Sequence, residues 1–145
     1  GFPSTPIHDC RTYYLNSGVH KEYGVLPLVR CVPAQINQVF MNILVNAAHA
    51  IENMGDITLK TGVEGENVWI SISDNGRGMS EAVCKRIFEP FFTTKEVGQG
   101  TGLGLSVSYG MLQGMGGRIE VASQPGTGTT FTVILPVNAA AENNV

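Results

Sequence analysis

The strongest pattern in this sequence is an amphipathic helix whose polar side carries no formal charge. Apolar residues recur at helical spacing from Pro33 onward, and Gly55 supplies a stop signal. Proline suits the first position of a helix, because its missing N–H would be unpaired there in any case. Such an apolar stripe needs a second layer to cover it, so the helix predicts a layered fold. The stripe consists of Ile36, Val39, Phe40, Ile43, Leu44, Ala47, Ala48 and Ile51.

Strand patterns follow this helix and recur near the C-terminus. Residues 56–63 and 67–74 form a predicted hairpin, in which Val68, Ile70 and Ile72 alternate onto one face. This order of elements predicts an α+β two-layer sandwich, in which a mixed sheet is covered on one face by helices. The remaining predicted elements are short strands at 11–17 and 28–31, a short helix at 80–86 capped by Ser80, a helix at 101–113, and strands at 118–123 and 129–135.

The length and composition fit one folded domain. With 145 residues, of which 43% are apolar and 14% charged, the chain can bury a single core and is not a disordered polymer. The first residues have the proline, serine and threonine content of a linker, and we assign residues 1–10 to a linker remnant. Residues 137–145 are predicted to be a flexible tail. The domain itself is therefore expected to span residues 11–136.

Charge, hydropathy and cysteine content exclude several classes of protein. A formal net charge of −3 leaves no basic surplus for a run of phosphates, so we expect no nucleic acid partner. No apolar stretch approaches the roughly 20 residues that span a bilayer, and the N-terminal residues lack the layout of a secretion signal. These features predict a cytoplasmic segment without direct membrane contact. Three distant cysteines, odd in number, argue against a disulfide scaffold or a zinc site.

The polar side of the long helix is a candidate ligand-binding face. Asn42, Asn46 and His49 lie four and three residues apart and therefore share one stripe. No Asp, Glu, Lys or Arg occurs between Ala34 and Ile51, whereas a solvated helix face normally carries them. An asparagine oxygen can complete the oxygen shell of Mg²⁺, and a histidine can donate to a phosphate. The alternative is a half-buried polar face satisfied by neighbouring backbone.

A second candidate is the carboxylate at the end of the predicted hairpin. Asp74 has the same parity as the apolar residues before it, so its side chain points toward the apolar layer. A buried carboxylate is costly unless a group donates to it. Two sources of a donor are open at this point. One is the following turn, through an Asx-turn, and the other is the amino group of a ligand, with Gly76 and Gly78 leaving space for a flat ring.

A glycine run at the start of the predicted second helix is a candidate phosphate site. Residues 98–106, GQGTGLGLS, contain four alternating glycines, although glycine inside a helix costs about 1 kcal/mol relative to alanine. Backbone N–H groups at a helix N-terminus bind phosphate, and absent side chains let it approach. A Walker A loop and a dinucleotide fingerprint are excluded, because no Gly-Lys-Ser/Thr follows and position 103 is leucine. The alternative is a tight turn at a close contact between helix and sheet.

The segment before this run combines aromatic residues with one lysine. Residues 89–98 show no apolar period and are predicted to be mobile. Of Phe88, Phe91 and Phe92, one is expected to pin the segment to the core and another to face a partner. Lys95 is the cation of this segment that can reach a polyphosphate, and its alternative role is that of a solvated surface charge.

In this order the motifs resemble those of the GHKL ATP-binding fold, also called the Bergerat fold, and within it the catalytic domain of bacterial sensor histidine kinases. The similarity covers about residues 33–136. The phrase FFTTK-x-x-G-x-GTGLGLS is similar to the subgroup that includes nitrogen-regulation kinases. Five motifs in the same order make chance agreement improbable. Residues 38–50 resemble the N box, 74–78 the first glycine box, 88–95 the F box, 100–105 the second glycine box and 126–131 the third.

The resemblance implies which residues handle the metal and the reaction. Asn46 would coordinate Mg²⁺ that bridges the phosphates of ATP, and Asn42, His49 and Lys95 would be catalytic residues beside it. In hydrolytic members of the superfamily a glutamate four residues before the metal asparagine activates water, whereas this chain has Asn42 there. An amide cannot take that proton, so efficient hydrolysis by a base at this position is not expected. That suits a kinase, whose phosphoryl group must reach an imidazole nucleophile rather than water.

The resemblance also implies how ATP is held and delivered. Asp74 would accept the adenine amino hydrogen with support from Thr129. Residues 89–100 would form a lid that also meets the helix presenting the substrate histidine. The residues implied in nucleotide binding are Asn46, Asp74, Gly76, Gly78, Gly100, Thr101, Gly102, Leu103, Gly104, Leu105 and Thr129.

Two departures from the family pattern bear on the function. Ala50 stands where many histidine kinases place an aromatic residue against the base. None of His8, His20 and His49 lies in the His-Glu-x-x-x-Pro setting of a phosphoacceptor helix. The substrate histidine is therefore expected on a separate dimerisation and histidine-phosphotransfer domain, with a response regulator as an indirect partner. Two alternatives remain open, a GHKL ATPase clamp and a nucleotide-sensing module without transferase activity.

Overall fold

The structure is a computed structural model that describes residues 17–22, 33–51, 54–92 and 104–137. Within these ranges the chain forms three helices and five strands, and none of these helices is long and apolar enough to cross a membrane. The helices are α1 (Pro33–Ala50), α2 (Glu81–Cys84) and α3 (Gly104–Gly114). The strands are β1 (Ser17–Glu22), β2 (Gly55–Glu64), β3 (Asn67–Asp74), β4 (Arg118–Gln124) and β5 (Gly128–Pro136).

The five strands form one mixed sheet in the order β1-β2-β3-β5-β4. β1 lies parallel to β2 at one edge, whereas the other three neighbouring pairs are antiparallel. The register places Asp74, the last residue of β3, opposite Ile57 of β2 and Thr129 of β5. The end of β3 therefore lies inside the sheet, with a strand on each side.

The helices cover one face of this sheet and enclose the core with it. α1 turns its predicted apolar stripe toward the sheet, and the inward residues of β3 alternate with half-buried ones as predicted. The α+β two-layer sandwich predicted from the order of elements is thus confirmed. The buried apolar side chains include Val39, Ile43 and Leu44 of α1, Val68, Ile70 and Ile72 of β3, Leu112 of α3, and Phe131, Val133 and Leu135 of β5.

The main difference from the predicted elements is β1. The sequence predicts a strand at 11–17, and the described strand, Ser17–Glu22, extends five residues beyond that prediction. Its parallel pairing, with Ser17 opposite Gly55, is a long-range contact that local alternation does not report. Residues 11–16, the predicted strand at 28–31 and the predicted helix start at 101–103 lie outside the described residues. Ser80 caps α2 as predicted, because its hydroxyl accepts a hydrogen bond from the Val83 N–H.

The described chain continues one residue into the predicted tail. The Val137 N–H donates to the Glu66 carbonyl at 2.8 Å, and its side chain packs against the core. Val137, directly after the end of β5, is therefore held against the domain. Residues 138–145 and the linker at 1–10 lie outside the described residues, so the domain limits stay a prediction.

Candidate functional site

A cavity of about 330 Å³ opens between α1, the loop after β3, α2 and β5. It combines apolar side chains with a small number of polar groups, which is the usual form of a small-molecule site. The end of β3 lies at this cavity, because Thr129 on its wall is the strand partner of Asp74. The lining residues are Asn46, Ala50, Arg77, Gly78, Met79, Ser80, Val83, Ile87 and Thr129.

Asp74 carries a buried carboxylate oxygen that accepts no hydrogen bond of standard geometry from the described residues. The residue is only 7% exposed. One carboxylate oxygen, Oδ1, accepts a 2.9 Å hydrogen bond from the Gly76 N–H, so the predicted Asx-turn forms. The other oxygen, Oδ2, is buried and accepts no hydrogen bond from the described residues. The turn therefore satisfies one oxygen, and the second is left without a donor among the described residues.

The electrostatics of Asp74 follow from this burial. Loss of solvent raises the pKa of the carboxyl group above its ordinary value of 3.8. The N–H groups of Gly76 and Thr129 and the Arg77 guanidinium lower the pKa, but burial is the larger effect. A ligand donor that reached Oδ2 would favour the charged carboxylate, so it would lower the raised pKa of Asp74.

Asp74, Thr129 and Ser123 form a row across β3, β5 and β4, because Thr129 is paired with both of the others. Directly opposed residues share a face of the sheet. Ser123 Oγ lies 2.8 Å from Thr129 Oγ1, and it accepts a 2.8 Å hydrogen bond from the N–H of Met79 on the cavity wall. Ser123 was missed by sequence reasoning, although the alternation of β4 gives it the inward parity of the buried Ile119.

The close approach of backbone segments requires glycine at positions 76 and 78, and the space that they leave for a flat ring stays a prediction. A Cβ on Gly76 would overlap the Ala50 carbonyl, and a Cβ on Gly78 would overlap the Gln124 carbonyl. The same loop is hydrogen-bonded on both sides, since the Arg77 N–H donates to the Ala50 carbonyl at 3.0 Å and the β4–β5 turn donates to the Arg77 carbonyl at 2.7 Å. These glycines let the loop pack closely against α1 and the β4–β5 hairpin. Gly78 also lines the cavity.

The predicted polar stripe of α1 divides into three environments. Asn46 lies on the cavity wall. Asn42, one turn earlier, faces α3, where its amide nitrogen donates to the Gly104 carbonyl at 2.9 Å and to Ser108 Oγ at 3.0 Å. His49 lies in the last turn of the helix and is exposed. Of the three, the structure therefore brings Asn46 to the cavity and engages Asn42 between two helices.

Asn42→Ala is expected to destabilise the domain by about 1–2 kcal/mol, because both protons of its amide nitrogen join α1 to α3. Gln38→Ala is the matched control, since it removes a 2.8 Å bond to the same side chain at an exposed position. Denaturant unfolding measures both variants. An Asn42→Ala midpoint equal to that of the parent chain would contradict this contribution to helix packing.

Much of the predicted phosphate region lies outside the described residues: Lys95, Gly100, Thr101, Gly102 and Leu103. Gly104 is the first residue of α3, with its carbonyl hydrogen-bonded to Asn42. The side chain of Leu105 is buried in the core, which leaves its backbone as the part that can face a phosphate. The phosphate-binding role of the glycine run stays a prediction.

The aromatic residues after α2 occupy different environments. The Phe88 ring lies 6.3 Å from the Phe131 ring, so Phe88 pins this segment to the core as expected for one of the three. The Phe92 ring lies under the Arg86 guanidinium, 4.5 Å from its central carbon. Phe91 is 73% exposed and has a positive φ of 67°. Contact of an aromatic residue with a partner stays a prediction.

Comparison with known proteins places this site in a family. Residues 31–139 match the family of histidine kinase-, DNA gyrase B- and HSP90-like ATPases. The chain is 46% identical over 119 residues to sporulation kinase E of Bacillus subtilis (strain 168). The aligned region covers 81% of this chain and 16% of that protein. It is 43% identical over 113 residues to the sensor histidine kinase ZraS of Escherichia coli (strain K12). That aligned region covers 78% of this chain and 24% of that protein.

A solved structure gives the same result. The catalytic domain of histidine kinase ThkA is 30% identical and superposes with a TM-score of 0.76, covering 90% of this chain and 84% of that one. The chain spans only 16% and 24% of the two curated relatives, so it corresponds to a part of each. The chain therefore belongs to the histidine kinase-, DNA gyrase B- and HSP90-like ATPase family, as a catalytic ATPase domain of the sensor histidine kinase type.

Proposed function

We propose that this domain binds ATP with magnesium and delivers the γ-phosphoryl group to a histidine on a separate dimerisation and histidine-phosphotransfer domain. The use of ATP follows from the family. The observation that carries the assignment of the site is the buried Oδ2 atom of Asp74, to which none of the described residues donates. Adenine has an exocyclic amino group, which can supply this donor.

The cavity beside Asp74 suits the base of a nucleotide. Met79, Val83 and Ile87 line it with apolar side chains, against which a flat ring can be buried. Ala50 contributes only a methyl group at the position where many histidine kinases carry an aromatic residue. Contact with the faces of the base therefore falls to these three apolar side chains.

Asn46 is the residue proposed to hold the metal. It lies on the cavity wall and offers one neutral amide oxygen. Magnesium retains several waters and binds through one or two protein ligands together with the phosphates of its substrate. One amide oxygen is therefore a sufficient protein contribution, and the donor chemistry fits the ion. The metal, when bound, supplies neutralisation of phosphate charge.

The chain's own part in the reaction is positioning. Asn42 occupies the place where hydrolytic relatives carry a glutamate, and an amide cannot accept a proton from water. Its nitrogen is engaged with α3, which holds the first turn of that helix against α1. His49, Lys95 and the backbone of residues 100–105 are proposed to contact the phosphates, and the nucleophile is the imidazole of the partner domain.

The proposed lid, residues 89–100, extends from the aromatic segment after α2. The exposed side chain of Phe91 supports contact of this segment with the partner helix. A response regulator would receive the phosphoryl group later, from the partner histidine. Action in the cytoplasm and a place in the nitrogen-regulation subgroup are part of the same proposal.

Asn46→Asp is expected to shift the magnesium dependence of ATP binding by about tenfold, because a charged carboxylate replaces the neutral ligand. Calorimetric titrations of ATP over a series of magnesium concentrations measure this shift. Adenosine, which has no phosphate, is the control ligand, and its affinity should stay the same in both proteins. Superimposable magnesium curves would rule out Asn46 as a metal ligand.

Incubation with labelled ATP and a panel of histidine-bearing dimerisation domains tests the whole function. Transfer of label to a histidine supports the kinase. Steady release of phosphate by the isolated chain would instead indicate the ATPase clamp. Binding of ATP without transfer to any supplied domain would indicate a nucleotide-sensing module.

A further inference from the structure

The hydroxyl groups of Ser123 and Thr129 belong to a hydrogen-bond network whose protons can be counted. Ser123 Oγ has three polar neighbours in the described structure: the Met79 N–H at 2.8 Å, the Gly128 carbonyl at 2.9 Å and Thr129 Oγ1 at 2.8 Å. The Met79 N–H can only donate, and the Gly128 carbonyl can only accept. The Ser123 hydroxyl has one proton to give.

A single arrangement satisfies all three contacts. Ser123 gives its proton to the Gly128 carbonyl, and it accepts from both the Met79 N–H and the Thr129 hydroxyl. In the opposite arrangement Ser123 donates to Thr129, which leaves its oxygen 2.9 Å from the Gly128 carbonyl with no proton between them. In the favoured arrangement the Thr129 hydroxyl donates its proton to Ser123 Oγ. Thr129 Oγ1 can therefore act only as an acceptor toward any other group.

We propose that Ser123 is a positioning residue for base selection: it holds Thr129 as an acceptor, so that Thr129 and the buried Oδ2 of Asp74 select a 6-amino purine over a 6-oxo purine. This inference rests on the proposed function, since it assumes that the cavity takes the base. Thr129 lies directly opposite Asp74 in the sheet and is itself on the cavity wall. Two neighbouring acceptors therefore mark the place where the base edge meets the protein.

The chemistry of the two purines differs at this edge. An exocyclic amino group has two N–H protons, which can serve both acceptors directly or through one water. A 6-oxo group replaces these two N–H donors by a third acceptor, so the exocyclic position and the two protein acceptors have no proton between them, and only the ring N1–H remains as a donor at this edge. If Thr129 were free to turn its proton outward, it could donate to that oxo group. Removal of Ser123 provides this freedom.

The test compares the affinities of ATP and inosine triphosphate for the chain, each with magnesium, by calorimetry. Ser123→Ala is expected to reduce the preference for ATP by about tenfold, which is the effect of one hydrogen bond gained by the 6-oxo ligand. Ser73→Ala is the matched control, because Ser73 Oγ and Thr130 Oγ1 form an equivalent 2.8 Å pair one residue along β3 and β5. The control should keep the parent preference.

A second variant separates orientation from a general loss of structure. Thr129→Val removes the hydroxyl, and Ser123→Ala should then cause no further change in the preference. An unchanged preference in Ser123→Ala, or an equal change in Ser73→Ala, would overturn the inference while leaving ATP binding in place. Failure of the parent chain to bind ATP would overturn the proposed function as well.

Discussion

Asp74→Asn is expected to weaken ATP binding about 100-fold, the loss associated with a hydrogen bond to a charged group. The Gly76 N–H determines the orientation of the asparagine side-chain amide, because it donates to the Oδ1 position at 2.9 Å. The amide oxygen must occupy that position, so the NH₂ group takes the place of Oδ2. The amino group of adenine would then meet a donor where the parent chain offers an acceptor.

The same substitution is expected to raise the stability of the ligand-free domain at neutral pH. Burial raises the pKa of Asp74 above 3.8, so the folded state holds this proton more tightly than the unfolded state. The carboxyl group therefore favours folding most below its unfolded pKa, and this contribution is lost as the pH rises through the folded pKa. Above both values the charged group lowers stability, and Asp74→Asn removes that penalty.

Thermal unfolding at pH 3 and pH 7, together with calorimetry of ATP binding, separates these effects. The variant should melt above the parent chain at pH 7, and the difference should shrink at pH 3. Asp56→Asn is the control, because Asp56 is an exposed aspartate at the start of β2 and outside the cavity wall. Equal ATP affinities for Asp74→Asn and the parent chain would disprove the assignment of Asp74 to the base.

Periodicity in the sequence was sufficient to predict the two layers of the fold. The stripe of α1 and the alternation of β3 each report burial directly, because every residue of one parity meets the same environment. The same alternation predicted that the carboxylate of Asp74 would be buried. These features depend on neighbours within a few positions, so local sequence contains them.

The connections within the site could not be predicted in this way. Asn42 reaches Gly104 and Ser108 across 62 and 66 residues, and no local pattern reports that α3 will pack beside it. The row of Asp74, Thr129 and Ser123 depends on two strand registers that only the folded sheet defines. Motif glycines are ambiguous for a related reason, because a ligand and a neighbouring backbone both require a missing side chain.

Gly128→Ala is expected to lower the free energy of unfolding by about 3–5 kcal/mol, which is a large part of the stability of a domain this size. Gly128 begins β5 with a positive φ of 137°. A Cβ at this position would overlap the Asp74 carbonyl oxygen and lie 3.0 Å from the Asn75 Cα. Both obstacles are backbone atoms at the end of β3, which is paired on both sides, so neither can move without disturbing the strand pairing.

Gly126→Ala provides the comparison that isolates this overlap. Gly126 lies in the same hairpin with a positive φ of 80°, but a Cβ there would meet no atom of the described structure within 4 Å. It should cost only about 1–2 kcal/mol, the penalty for a left-handed residue other than glycine. Denaturant unfolding of the two variants therefore measures the backbone contact between β5 and the end of β3. Equal losses would mean that conformation alone explains Gly128, whereas a larger loss for Gly128→Ala would show that the close approach of β5 to the end of β3 requires glycine there.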